Sequence, residues 1–176
     1  MDFLVREAKT ADAASIGRIH VDTWRVHYRG FVPDYYLESL SVDARIQAWR
    51  QILSDPRAGT ETFVAEEIGN VMGFCNVGPS RDGDAAESTG ELYSIYVSPR
   101  EQKKGVGSAL MRAGLHFLIS KKFNSASLWV LKTNQATIRF YESKGWRADG
   151  QEKTEERNKF VFEEIRYVLP DLTVRS

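Results

Sequence analysis

Cysteine is almost missing from this chain. Its 176 residues hold one, Cys75, so no disulfide can close within the molecule. A chain of this length buries roughly 70% of its unfolded surface, and it needs no disulfide or metal to hold a core. Cys75 lies in an apolar stretch with no charged neighbour in sequence, and it reads as a buried, inert thiol. An excess of charge of one sign is missing too. Lys+Arg and Asp+Glu both number 24, which argues against a nucleic-acid partner. No apolar run approaches the ~18 residues of a membrane span, so no membrane partner is expected. Residues 1–7 lack the basic-then-apolar order of a signal peptide, and a cytoplasmic location is expected. Histidine is scarce: His20, His27 and His116 show no metal-ligand spacing, and no metal is expected. No linker, repeat or low-complexity segment divides the chain, so 1–176 reads as a single domain.

What is present is a succession of periodic apolar segments. Residues 3–8 read as a strand. Thr10 caps a helix in which Ile16, Ile19, Thr23 and Val26 recur at helical spacing, ending at Arg29-Gly30. Pro33-Asp34 opens a second helical stretch, with Tyr36, Leu37, Ile46 and Trp49 on it and a break near Ser41. Strands at 62–67 and 71–77 flank a hairpin turn at Ile68-Gly69-Asn70. A polar, mobile surface loop over 78–89 carries Asp82, Asp84 and Glu87 and leads to a fourth strand at 90–97. The third helix places Val106, Ala109, Leu110, Ala113 and Phe117 on one face. A fifth strand at 126–131 and a helix at 134–144, stopped by Gly145, follow. The last two strands fall at 146–148 and 159–168. This order predicts a mixed α/β sheet with helices on its faces, not the regular alternation of a doubly wound nucleotide fold.

The densest chemistry lies at one junction, where the fourth strand meets the third helix. Gln102-Lys103-Lys104-Gly105-Val106-Gly107-Ser108 opens that helix. Glycines at a helix mouth expose backbone N–H groups at the positive end of the helix dipole, which makes an anion site. A dinucleotide fingerprint needs Gly or Ala three residues after the second glycine, where Leu110 stands. A Walker loop needs Gly-Lys-Ser/Thr in that order, and here Lys104 precedes Gly105.

The segment 102–107 instead fits Gln/Arg-x-x-Gly-x-Gly/Ala after a strand. Downstream, Asn134 is followed seven residues later by Tyr141 and then by Gly145-Trp146, with Trp in the place of Phe. Together the two motifs resemble the Gcn5-related N-acetyltransferases, the GNAT superfamily. The resemblance implies a mixed, mostly antiparallel sheet of about seven strands, flanked by helices and splayed between the fourth and fifth strands. It implies direct transfer of an acetyl group from acetyl-CoA to an amine of a small molecule or peptide, in a ternary complex, and it allows a homodimer. A non-catalytic acyl-CoA-binding regulatory module, or an enzyme acting on protein lysines or N-termini, are the alternatives.

By the same resemblance, Gln102, Lys103, Lys104, Gly105, Val106, Gly107 and Ser108 hold the coenzyme's pyrophosphate. The backbone of Ile95, Tyr96 and Val97 pairs with its amide-bearing arm and supplies an oxyanion donor. Asn134 bonds that arm or caps its own helix. Tyr141 takes the place of the general acid beside the sulfur: a phenol near ~10 can protonate or hydrogen-bond a thiolate near ~8.5. Glu91 takes the place of the catalytic glutamate of histone-acetylating members, as a partly buried base acting directly or through water. Strand alternation puts Glu91, Tyr93, Ile95 and Val97 on one face. Trp24, His27 and Tyr28, with Tyr35 and Tyr36 nearby, crowd the junction of the first two helices, which in the family helps form the acceptor pocket. With Tyr93 they are the candidate acceptor contacts. Aromatic rings and the acidic 82–87 loop would suit a cationic amine.

Overall fold

The computed structural model describes residues 3–172. Met1, Asp2 and 173–176, and with them both ends of the domain expected over 1–176, lie outside the described residues. β1 (Leu4–Glu7) turns through a short 3-10 segment at Thr10–Asp12 into α1 (Ala13–His27). α2 (Asp34–Ser39) and α3 (Val42–Ser54) divide at the expected break, where the Ser41 hydroxyl accepts the Ala44 N–H. β2 (Glu61–Glu67) and β3 (Asn70–Pro79) are joined by the two-residue turn Ile68-Gly69, with φ of 48° and 75°. Then come β4 (Thr89–Val97), α4 (Val106–Ser120), β5 (Ser125–Leu131), α5 (Gln135–Ser143), β6 (Arg147–Arg157) and β7 (Phe160–Leu169).

The strands form one seven-stranded sheet in the order β1-β2-β3-β4-β5-β7-β6. Every neighbouring pair is antiparallel except β4 with β5. α4 lies over β2, β3 and β4 on one face, burying Val106, Leu110, Gly114 and Leu118. This stripe differs from the expected one: Ala109, Ala113 and Phe117 are only half-buried at its edge. α1 and α3 cover the other face, where Ile16, Ile19 and Trp49 pack on Val64 and Phe74.

Two departures from regularity build the site. The parallel pairing of β4 and β5 runs from Thr89↔Ser125 to Glu91↔Ser127, and no pair beyond it is found among the described residues. β4 goes on with β3 while β5 goes on with β7, so a cleft opens between them. β4 also carries a bulge. Ser94 pairs with Asn76 and Leu92 with Val77, which leaves Tyr93 as the extra residue. A bulge inverts the alternation beyond it. Ile95 and Val97 pack toward α4, with Leu92, while Tyr96 packs among Phe74 and the α1 side chains. Glu91 therefore shares its face with Tyr96, and the expected grouping of Glu91 with Ile95 and Val97 does not hold.

β6 is far longer than the 146–148 expected. Its sequence is nearly all polar, so no apolar alternation marks it, yet it pairs with β7 from Arg147↔Val168 to Arg157↔Phe160. It is an edge strand, and its charges protect that edge from pairing with other chains. The loop after β3 is shorter than expected and is tied down. Asp82 and Asp84 both pair with Arg166 of β7, and Trp129 donates its indole N–H to Asp82 at 3.0 Å.

Candidate active site

The mouth of α4 is shaped by left-handed backbone. Lys103 has φ of 60° and Gly105, the N-cap residue, 81°. Only glycine adopts that conformation freely, so Gly105 sets the curve that turns the loop into the helix. No side chain caps the first turn. The N–H groups of Val106, Gly107 and Ser108 are among those a helix leaves without internal partners, and they meet the dipole's positive end. The Gln102 side-chain amide meets His27 Nε2, which fastens this loop to the end of α1. Lys104 points elsewhere: its ammonium bonds Glu101 at 2.6 Å, and it does not line the cavity that the rest of the loop borders.

That cavity, of about 1230 Å³, runs from the α4 mouth into the cleft between β4 and β5. It brings together the residues expected to hold the coenzyme and the acceptor except Lys104, while Tyr35 and, of the acidic loop, Asp84 and Glu87 do not line it. Ile95, Tyr96 and Val97 form its β4 wall, and the Val97 carbonyl accepts the Thr23 hydroxyl at 3.3 Å. Asn134 is buried and caps α5, its Oδ1 accepting the Thr137 N–H at 3.2 Å.

Glu91 is 1% exposed, more deeply set than a partly buried base. Arg81 holds it with three donors: the backbone N–H at 2.9 Å to Oε2, Nε shared between both oxygens, and Nη2 to Oε1. These contacts fall two to each oxygen, so the carboxylate's roughly four acceptor positions are all engaged by Arg81. The Arg81 guanidinium, its own pKa raised first by the Glu91 hydrogen bond, also lies 4.4 Å above the Tyr93 ring. The Tyr93 hydroxyl donates to the Pro79 carbonyl at 2.6 Å, so this residue offers the cavity its ring rather than its hydroxyl.

On the α1 side, Trp24 and Tyr28 stack at 4.4 Å between ring centres, and Trp24 donates its indole N–H to the Tyr96 hydroxyl at 3.0 Å. His20 lies 4.9 Å from the Tyr96 ring. Burial, and then the charge of Arg45, push the His20 imidazole down to about 3, so it stays neutral. Tyr141 is 7% exposed beside Phe140 and Trp146. Burial raises its phenol, and the nearby Tyr96 and Cys75 add to the effect. Cys75 faces α4, bonded to the Leu110 carbonyl at 3.2 Å, with its thiol pushed up to about 12 by burial.

Sequence reasoning missed the wall opposite α1. Trp129 of β5 and Lys153, Glu155, Arg157, Phe162 and Glu164 of the β6–β7 hairpin line the cavity. Trp129, Phe162 and Glu164 fall on strands expected at 126–131 and 159–168, and Lys153, Glu155 and Arg157 in the charged run between the last two expected strands, but nothing in the sequence turned them toward a cavity. Arg81 was equally silent, because its partner lies across the loop rather than at a helical or strand spacing.

Comparison with known proteins agrees with this geometry. A sequence model of the acetyltransferase (GNAT) family matches residues 15–146. An uncharacterised N-acetyltransferase of Bacillus subtilis, YuaI, is 38% identical over 140 residues, covering 79% of this chain and 77% of that protein. A mycothiol acetyltransferase of Acidimicrobium ferrooxidans is 34% identical over 139 residues, covering 74% of this chain but 41% of its own length. Among solved structures, the PaiA N-acetyltransferase of Thermoplasma acidophilum in complex with coenzyme A superposes with a TM-score of 0.74 at 16% identity, covering 97% of this chain and 99% of that one. The acetyltransferase YncA of Salmonella typhimurium with acetyl-CoA gives 0.72 at 22% identity, covering 100% and 97%. This chain belongs to the GNAT family of acetyltransferases.

Proposed function

We propose that this protein is an acetyl-CoA-dependent N-acetyltransferase that acts by direct attack of a primary amine, of a small molecule or peptide, in a ternary complex. The observation that carries the reading is the continuity of one cavity. It joins the uncapped mouth of α4, the open edge of β4 and the Tyr141 phenol to an aromatic chamber under α1. The residues fit the coenzyme. Left-handed backbone at Lys103 and Gly105 leaves the first-turn N–H groups free for a pyrophosphate, with the Lys103 ammonium and the Ser108 hydroxyl beside them. Beyond Glu91 the backbone of Ile95, Tyr96 and Val97 borders the cleft and suits the amides of a pantetheine arm. Two structural neighbours that share the fold carry coenzyme A or acetyl-CoA.

When bound, acetyl-CoA supplies an acyl thioester activated toward amines. The protein's part is to hold charge and protons. A backbone N–H of 95–97 holds the negative charge on the carbonyl oxygen. Tyr141, protonated at neutral pH as an ordinary phenol is and kept so by burial, hydrogen-bonds the departing sulfur. Glu91 takes the amine's proton through a water that replaces one branch of the shared Arg81 Nε contact. The N–C bond forms, the C–S bond breaks, and in sum the amine's proton ends on the thiol.

The test is an amine panel with a free-thiol readout on wild type and Tyr141→Phe. We expect turnover with at least one amine, and a kcat about a hundredfold lower in the variant at similar KM for acetyl-CoA. Acetyl-CoA binding with no turnover on any amine would assign the chain to non-catalytic acyl-CoA-binding modules instead.

A further inference from the structure

Not every charge around the cavity is held in an ion pair. Five carboxylates line it: Asp82, Glu91, Glu101, Glu155 and Glu164. Each is in an ion pair, with Arg166, Arg81, Lys104, Arg157 and Lys153 respectively. The lining cations are Arg45, Arg81, Lys103, Lys153 and Arg157. Three of them serve in those pairs. Lys103 and Arg45 have no ion-pair partner among the described residues. The lining cations without an ion pair therefore stand at two separate places.

Lys103 stands at the mouth of α4, where a pyrophosphate accounts for it. Arg45 stands on α3, half-buried, close enough to His20 and Tyr96 for its charge to act on both. This is the aromatic end, beside Trp24 and Tyr28. His20 stays neutral and brings no competing charge. The acidic loop that would have favoured a cationic acceptor has Asp82 and Asp84 committed to Arg166.

We propose that the acceptor is an amine that also carries a carboxylate, an amino acid or a close analogue, and that Arg45 binds this carboxylate while the rings of the chamber enclose the rest. The proposal rests on the acetyl-transfer reading above. A guanidinium meets a carboxylate through two parallel N–H donors, which fixes orientation as well as affinity. Anchoring one end of the acceptor leaves its amine to face the β4 wall.

The experiment measures equilibrium binding to the coenzyme A-loaded protein, separately from turnover. The probes are α-amino acids and the same compounds as carboxamides. The variants are Arg45→Gln and Arg45→Lys, at a half-buried position beside, but not part of, the buried side of α3 formed by Ile46 and Trp49. We expect at least one amino acid to bind about ten- to a hundredfold tighter than its carboxamide, the worth of a charge-assisted hydrogen bond. Arg45→Gln removes the difference, Arg45→Lys keeps part of it, and coenzyme A affinity stays unchanged in both. Equal binding of acids and carboxamides, no binding of any acid, or a loss of coenzyme A affinity in Arg45→Gln would each overturn the proposal. The last would place Arg45 at a phosphate of the coenzyme. Selective acid binding without turnover would keep this site and sink the acetyl-transfer reading. Turnover of amines with no preference for acids would do the reverse.

Discussion

At the scale of single residues, what could be read from sequence was what lies within one short segment. Gly105, Asn134 and Tyr141 sit in contiguous motifs whose local geometry is set by neighbours in the chain, and the structure brings all three to one cavity. Arg81 and Arg45 were not legible, because their meaning comes from partners, or a lack of partners, across the fold. The pairing of Arg81 with Glu91 changes what is expected of that glutamate. Glu91→Gln keeps the shape but removes the proton acceptor, so the variant depends on amine that arrives already neutral. Its kcat/KM should then rise about tenfold per pH unit over pH 7–9, toward the ordinary amine value near ~10, while the wild type climbs less steeply. A pH–rate profile checks this. A variant with the wild-type profile would leave Glu91 as no more than an anchor for Arg81.

Among the elements, most helices and inner strands followed their periodicity, while the bulge in β4 and most of β6 did not. The bulge at Tyr93 has no signature in 90–97, because one extra residue is set by pairing with β3 rather than by composition. β6 was legible only at its start, the expected 146–148, since the rest of its ladder with β7 is backbone, with charges such as Lys153 and Glu164 pairing across it. The β2–β3 turn was legible, yet it holds an unfavourable choice. Ile68 is fully exposed and sits at φ 48°, where a β-branched side chain is strained. Two-residue hairpin turns with both residues left-handed favour Asn-Gly. Ile68→Asn gives up no packing and relieves that strain, so it should stabilise the protein by about 1 kcal/mol. Denaturant unfolding would show this as a higher midpoint at unchanged slope. A lower midpoint would mean that Ile68 makes a contact in solution.

For the whole molecule, the sheet's first strand is an edge, and one charge cluster fastens it to the rest. The Arg6 guanidinium of β1 reaches Asp12 at 2.8 Å in the 3-10 turn before α1, and Glu66 on β2. Asp12 also accepts the Lys9 N–H at 2.7 Å, so a single carboxylate locks the entry to α1 against the sheet. Its pKa is lowered, first by the Arg6 hydrogen bond, against the opposing pull of burial. A depressed carboxylate stabilises the fold fully above its unfolded value near ~3.9, and that contribution fades as pH falls through the lower folded value. Acid should therefore loosen the β1–α1 corner below about pH 4, with little change between pH 5 and 8 from this group. Asp12→Asn removes the charge while keeping the shape. It should cost about 1–3 kcal/mol at pH 7, the range for losing a charge-assisted bond, and flatten the stability curve below pH 4. Unfolding free energies of both proteins from pH 2 to 7 decide the matter. Parallel curves would show that the acid sensitivity arises at another carboxylate.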